Sequence, residues 1–115
     1  MTDPGFGSIH VDEVARRWAE SNATLQWIDV REPEEVAIAQ LPGFLNLPLS
    51  QFAMWENVIT TQLDPSVETI VLCHHGIRSA QMCQWLTGQG FTHVKNVVGG
   101  IDAYSTHVDP SIQRY

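Results

Sequence analysis

The chain has 115 residues, 43% of them hydrophobic, a formal net charge of −7 and two cysteines. That length makes one domain, 1–115, with a single core. No apolar run approaches the ~20 residues of a bilayer span, and an acidic chain whose only basic pair is Arg16–Arg17 excludes nucleic acid and anionic membrane as partners. Two cysteines without a CxxC make neither a disulfide scaffold nor a structural zinc site. Residues 1–8 hold Asp3, no Lys or Arg and no apolar stretch, so they do not read as a signal peptide, and the expected compartment is the cytoplasm.

Val11, Val14, Ala15 and Trp18 recur at helical spacing and predict a helix over 11–20, with Asp12 and Glu13 suited to the dipole of its first turn. Leu25 to Val30 reads as a buried strand that runs into the polar Asp29, Arg31 and Glu32. Pro33 sits where a short helix would begin, and Glu32, Glu34 and Glu35 read as its solvated start. Leu41-Pro42-Gly43 is turn chemistry, followed by a short strand, Phe44 to Leu47, which Pro48 stops. Ser50 is the expected N-cap of a helix to about Gln62, with Phe52, Trp55, Ile59 and Leu63 on one face, and Asp64-Pro65 breaks it. Thr69 to Leu72 is the clearest strand. A helix follows from Ser79 to about Thr87, closed by Gly88 and Gly90. His93 to Val98 is the last strand, and Gly99-Gly100 turns into a short helix near Ile101 to Tyr104. Residues 107–115 carry no clear pattern and are expected to be a loose tail. Strands alternating with helices predict an α/β domain with a parallel sheet.

The chemistry concentrates in Cys73-His74-His75-Gly76-Ile77-Arg78-Ser79. A cysteine ends a strand, a tight loop follows, and a helix begins. Ligands of open parallel sheets bind at that edge. A loop wrapped ahead of a helix N-terminus aims several backbone N–H groups inward as an anion nest, and the same field favours thiolate over thiol. Gly76 supplies unusual backbone angles, and Arg78 a fixed positive charge. The expected product is a nucleophilic sulfur in a cradle for an anion or a charged sulfur atom, working by double displacement.

Four segments then carry a resemblance: Ile28-Asp29-Val30-Arg31-Glu32; Leu41-Pro42-Gly43 with Asn46 and Pro48; Cys73-x-x-Gly76-x-Arg78-Ser79; and Val97-Val98-Gly99-Gly100-Ile101-Asp102-Ala103-Tyr104. Their order and spacing resemble the single-domain rhodanese-like, or thiosulfate sulfurtransferase, family over nearly the whole chain. Gln40 stands where that family often has His, and Tyr104 where Trp is usual. The resemblance implies a five-stranded parallel sheet with helices on both faces and a persulfide carried on Cys73. The donor would be thiosulfate or a persulfide, and the acceptor cyanide, a small thiol or a protein cysteine. His74, His75, Gly76, Ile77, Arg78 and Ser79 would bind substrate, with no cofactor and no metal, in a monomer. Two rival readings keep the same fold: a non-catalytic interaction module, and a phosphatase-like or arsenate-reducing enzyme. An intact loop around Cys73 speaks against the first. The second needs a loop one residue longer than the four that separate Cys73 from Arg78.

The remaining candidates have plainer expected roles. Cys83 lies on the apolar face of its helix and reads as core. His74 and His75 shape the pocket mouth and lack an obvious second ligand cluster. Asp29 and Arg31 read as an ion pair bracing the loop. Trp18, Trp27, Trp55 and Trp85 are spread one per element, as packing residues are.

Overall fold

The computed structural model describes residues 5–20, 24–57 and 59–115, without the side chain of Thr60. The signal-peptide reading of residues 1–8 therefore falls partly outside the described residues, as does Val58 in the expected long helix. Five strands, β1 (Gly7–Ile9), β2 (Gln26–Asp29), β3 (Leu45–Asn46), β4 (Thr69–Leu72) and β5 (Val94–Val97), form one parallel sheet in the order β1-β5-β4-β2-β3. The helices are α1 (Val11–Glu20), α2 (Pro33–Ile38), α3 (Phe52–Trp55), α4 (Ile59–Gln62), α5 (Ile77–Gly88) and α6 (Gly100–His107).

β4 is central and buried at every residue. Its side chains alternate between two cores, as strand periodicity requires. Val71 faces Ile28, Trp55, Ile59, Met82, Cys83 and Leu86, beneath α3, α4 and α5. Ile70 and Leu72 face Ile9, Val11, Val14, Val97 and Ile101, beneath α1 and α6. The sheet is thus covered on both faces, as the resemblance implies. Its parallel strands all end at one edge, where β4 hands over to Cys73. Among the described residues no helix is long and apolar enough to cross a membrane.

Several expectations are corrected. β1 has no counterpart in the sequence reading: Gly7-Ser8-Ile9 buries only Ile9 and forms by pairing with β5. The expected helix from Ser50 to Gln62 is instead a 3₁₀ turn at Leu49–Gln51 followed by the separate α3 and α4. Phe52, Trp55, Ile59 and Leu63 do pack on one core, so the spacing is sound and the continuity is not. Ser50 lies inside the turn and caps nothing; its hydroxyl donates to the Glu32 carboxylate. The Trp55 indole N–H donates to the Pro48 carbonyl at 2.9 Å, which folds α3 back onto the end of β3. α5 begins at Ile77, two residues before the expected start, and α6 runs on to His107.

The segment after His107 is not loose. Val108, Ile112 and Tyr115 pack against the α1/α6 core. Ser105 Oγ donates to the Ile112 carbonyl at 2.6 Å, and Arg114 pairs with Asp102 at 3.0 Å. Three apolar residues in a segment of turns and irregular chain leave no periodicity that stands out from loop composition.

Candidate functional site

Cys73 follows β4 directly and is 1% exposed. Its sulfur accepts the Gly76 N–H at 3.0 Å and lies 3.2 Å from Ser79 Oγ. The Ser79 hydroxyl donates to Asn96 Oδ1, and Asn96 Nδ2 donates to the Gly76 carbonyl at 3.0 Å. Asn96, on β5, therefore ties both ends of the loop to the sheet. Gly76 is the N-cap of α5 with φ +101°, a conformation that favours glycine, and it places the start of a 12-residue helix at the sulfur.

A second helix start supports the loop from behind. The N–H groups of Ile101 and Asp102, in the first turn of α6, donate to the carbonyls of Cys73 and His74 at 2.9 and 3.1 Å. This contact explains Gly99-Gly100. A Cβ on Gly100 would lie 2.4 Å from both carbonyl oxygens, and its φ is +61°.

Arg78 points away from a lone electrostatic role. Its Nη1 and Nη2 donate to Glu35 Oε1 and Oε2 at 2.6 and 2.8 Å, a bidentate pair. Glu35, expected to be solvated, is part of the site, and nothing in the local pattern marks it. The Arg78 guanidinium holds Glu35 far below its ordinary 4.5, to about 2. A depressed carboxylate stabilises the fold above its unfolded value and stops doing so as pH falls through the folded one. The stability gap between wild type and Glu35→Gln should therefore be full above about pH 5, by the ordinary glutamate value, and should close towards pH 2. Urea unfolding of both proteins at pH 7, 4 and 2 measures it; a gap unchanged by pH would show that the pair carries no charge-dependent stability.

Asp29 and Arg31 form the expected brace. Arg31 is fully buried, its Nη2 2.7 Å from Asp29 Oδ2 and its Nε 3.0 Å from Oδ1. Arg31 Nη1 donates to the Tyr115 hydroxyl at 2.9 Å, and that hydroxyl donates to Glu35 Oε2 at 2.9 Å. Asn46 Nδ2 donates to the carbonyls of Asp29 and Arg31, fixing the end of β2. Tyr115, absent from the sequence reading, also stacks on His74 at 3.9 Å, and His74 stacks on His75 at 3.8 Å. Burial, then the neighbouring His75, pushes the His74 imidazole below its ordinary value, and its Nε2 is buried without a partner.

Cys73, His74, His75, Ile77 and Arg78 line a shallow pocket of about 250 Å³, with Gly76 and Ser79 holding the sulfur at its floor. All seven predicted site residues thus meet in one place. α6 also brings a third potential metal ligand, Asp102, to His74 and His75, which the sequence reading did not foresee. The donor atoms of the three lie within 4.8 Å of one another, and Asp102 is already engaged by Arg114. Cys83 is fully buried, and burial pushes its thiol up to about 12, as befits a core residue.

The model of the rhodanese-like domain matches residues 10–107. Over 90 residues, 78% of the chain, the sequence is 56% identical to the rhodanese-like/PpiC domain-containing protein 12, chloroplastic, of Arabidopsis thaliana. The match spans 30% of that relative's length. A sulfurtransferase of Allochromatium vinosum is 31% identical over 104 residues, covering 90% of this chain and 92% of that one. A rhodanese-like domain protein from Staphylococcus aureus superposes with a TM-score of 0.76 at 25% identity, covering 96% of this chain and 99% of that one.

Proposed function

Because the chain belongs to the rhodanese-like domain family, we propose that it is a sulfurtransferase that carries sulfane sulfur as a persulfide on Cys73. The observation that carries this reading is the sulfur's setting: Cys73 Sγ accepts the Gly76 N–H at the start of α5, in a pocket lined by the loop side chains. With thiosulfate as donor, the thiolate attacks the outer sulfur, a new S–S bond forms on Cys73, and sulfite leaves with the old bond's electron pair. Cyanide then takes the outer sulfur as thiocyanate and returns the thiolate. A persulfide donor enters the same cycle, and a small thiol or a protein cysteine takes cyanide's place as acceptor.

The neighbours have positioning roles. Gly76 and Ser79 hold the sulfur, Ile77, His74 and His75 form the entrance, and Arg78 fixes the loop to α2 through Glu35. The chain works as a monomer without a cofactor, and its two free cysteines suit a reducing compartment such as the cytoplasm.

Intact mass after incubation with sulfane-sulfur donors tests the reading: the protein should gain one sulfur atom and lose it to cyanide as thiocyanate. An aryl phosphate offered under the same conditions should be hydrolysed negligibly, because the four residues between Cys73 and Arg78 make a loop one residue short of the one a tetrahedral phosphate needs. Phosphate turnover equal to sulfur turnover would reverse the ranking of the two chemistries.

A further inference from the structure

The loop is surrounded by cations that are already matched. Arg31 pairs with Asp29, Arg78 with Glu35 and Arg114 with Asp102. The chain's other three Lys and Arg residues also pair with carboxylates. Among the described residues the pocket mouth therefore offers no permanent cation to spare, on a molecule whose formal charge is −7. His74, the loop imidazole, lies stacked under Tyr115. At the rim stands Ile77, an apolar side chain 72% exposed, in the residue next to Arg78.

These features bear on the sulfur donor. Thiosulfate arrives as a dianion, and its sulfonate must rest at the mouth while the outer sulfur meets Cys73. One unit charge about 4 Å away is worth roughly 1–4 kcal/mol between bulk water and a protein surface, and here that charge is committed to carboxylates. The net field also slows the approach of a dianion. A persulfide in its neutral form, R–S–SH, brings no charge to the mouth, and its carrier group R can lie against Ile77.

We infer that the physiological donor is a persulfide on an uncharged or apolar carrier rather than thiosulfate. This rests on the sulfurtransferase reading above and narrows it. In the step, the Cys73 thiolate attacks the outer sulfur of R–S–SH. The new bond forms between Cys73 Sγ and that sulfur, the donor's S–S bond breaks, and R–S⁻ leaves with the electron pair and takes a proton from water. The donor is reduced to a thiol as Cys73 is oxidised to the persulfide, so no outside oxidant is needed.

The test follows loading by intact mass with three donors: thiosulfate, the persulfide of 2-mercaptoethanol, and the persulfide of a cysteine peptide with apolar flanks. Each rate is divided by the rate of free cysteine with the same donor, which removes intrinsic reactivity. The normalised rate should be at least about tenfold higher for the persulfides, the equivalent of roughly 1.4 kcal/mol. Ile77→Lys, which puts a cation where the apolar carrier would rest, should raise thiosulfate loading about tenfold and slow loading from the apolar peptide persulfide, so that the preference narrows or reverses. A faster rate with the peptide assigns the source to a protein cysteine, and a faster rate with the small persulfide to a small thiol; both support the inference. Equal normalised rates in the wild type, or an Ile77→Lys variant no faster with thiosulfate, would overturn it and leave sulfur transfer standing. Loading by none of the donors would sink both.

Discussion

Cys73→Ser should abolish sulfur loading and thiocyanate release, a loss of at least about 10³-fold, because the covalent carrier itself is removed. A serine hydroxyl is not ionised at neutral pH and does not attack sulfane sulfur. The substitution is well chosen for the fold as well. The atom it removes is held by the Gly76 N–H and lies beside the Ser79 hydroxyl, and a serine oxygen at the same place finds the same partners. Stability should therefore change by no more than about 1 kcal/mol, since no buried polar group is left unpaired. The comparison protein is Cys83→Ala. Its thiol is buried in the core beneath α5 and pushed up to about 12 by burial. It should keep turnover while losing about 1 kcal/mol of stability. Loading and stability thus separate between the two cysteines. A folded Cys73→Ser protein that still gains one sulfur atom would dismiss Cys73 as carrier, and a folded, inactive Cys83→Ala protein would make Cys83 a resolving thiol.

The site was legible where its chemistry is local. Cys73 to Ser79 is a continuous run, so strand end, tight loop and helix start appear together in the sequence, and the structure gathers the same residues. Beyond the Asp29–Arg31 brace, the supporting shell was not legible, because it is built from pairs far apart in the chain. Glu35 meets Arg78 across 43 residues and Tyr115 across 80. No periodicity records such a pair; a glutamate that caps a short helix looks the same whether its carboxylate faces water or an arginine. Gly99-Gly100 reads as a turn, yet its tighter constraint is the approach of two carbonyls to Gly100. β1 escaped for a simpler reason. A three-residue edge strand with one buried side chain has no alternation to detect, and its pairing partner lies almost ninety residues away. The broken helix after Pro48 shows the reverse error, a true apolar spacing assigned to one rod when the segment holds a 3₁₀ turn and two separate short helices.

The largest stability loss is expected from Arg31→Met. Arg31 is fully buried, and its guanidinium satisfies both oxygens of Asp29, itself 2% exposed. Removing the cation leaves a buried carboxylate with the Arg31 backbone N–H as its remaining partner among the described contacts. Breaking a buried pair in this way costs about 3–5 kcal/mol, a large part of a small domain's total of about 5–15 kcal/mol. The loss should reach the site too. Without Nη1 the Tyr115 hydroxyl loses the donor that holds it beside Glu35, and with it the ring stacked on His74. Asp29→Asn combined with Arg31→Met removes the orphaned charge and should recover at least about 1 kcal/mol of the single variant's loss, because a neutral amide is cheaper to bury than a carboxylate. Arg31→Lys keeps the charge but not the fork that spans Asp29, Tyr115 and the Glu35 carbonyl, so it should fall between wild type and Arg31→Met. Chemical denaturation of the four proteins at one pH gives the ranking. A double variant less stable than Arg31→Met would show that the cost lies in lost packing around the guanidinium and not in the unpaired charge of Asp29.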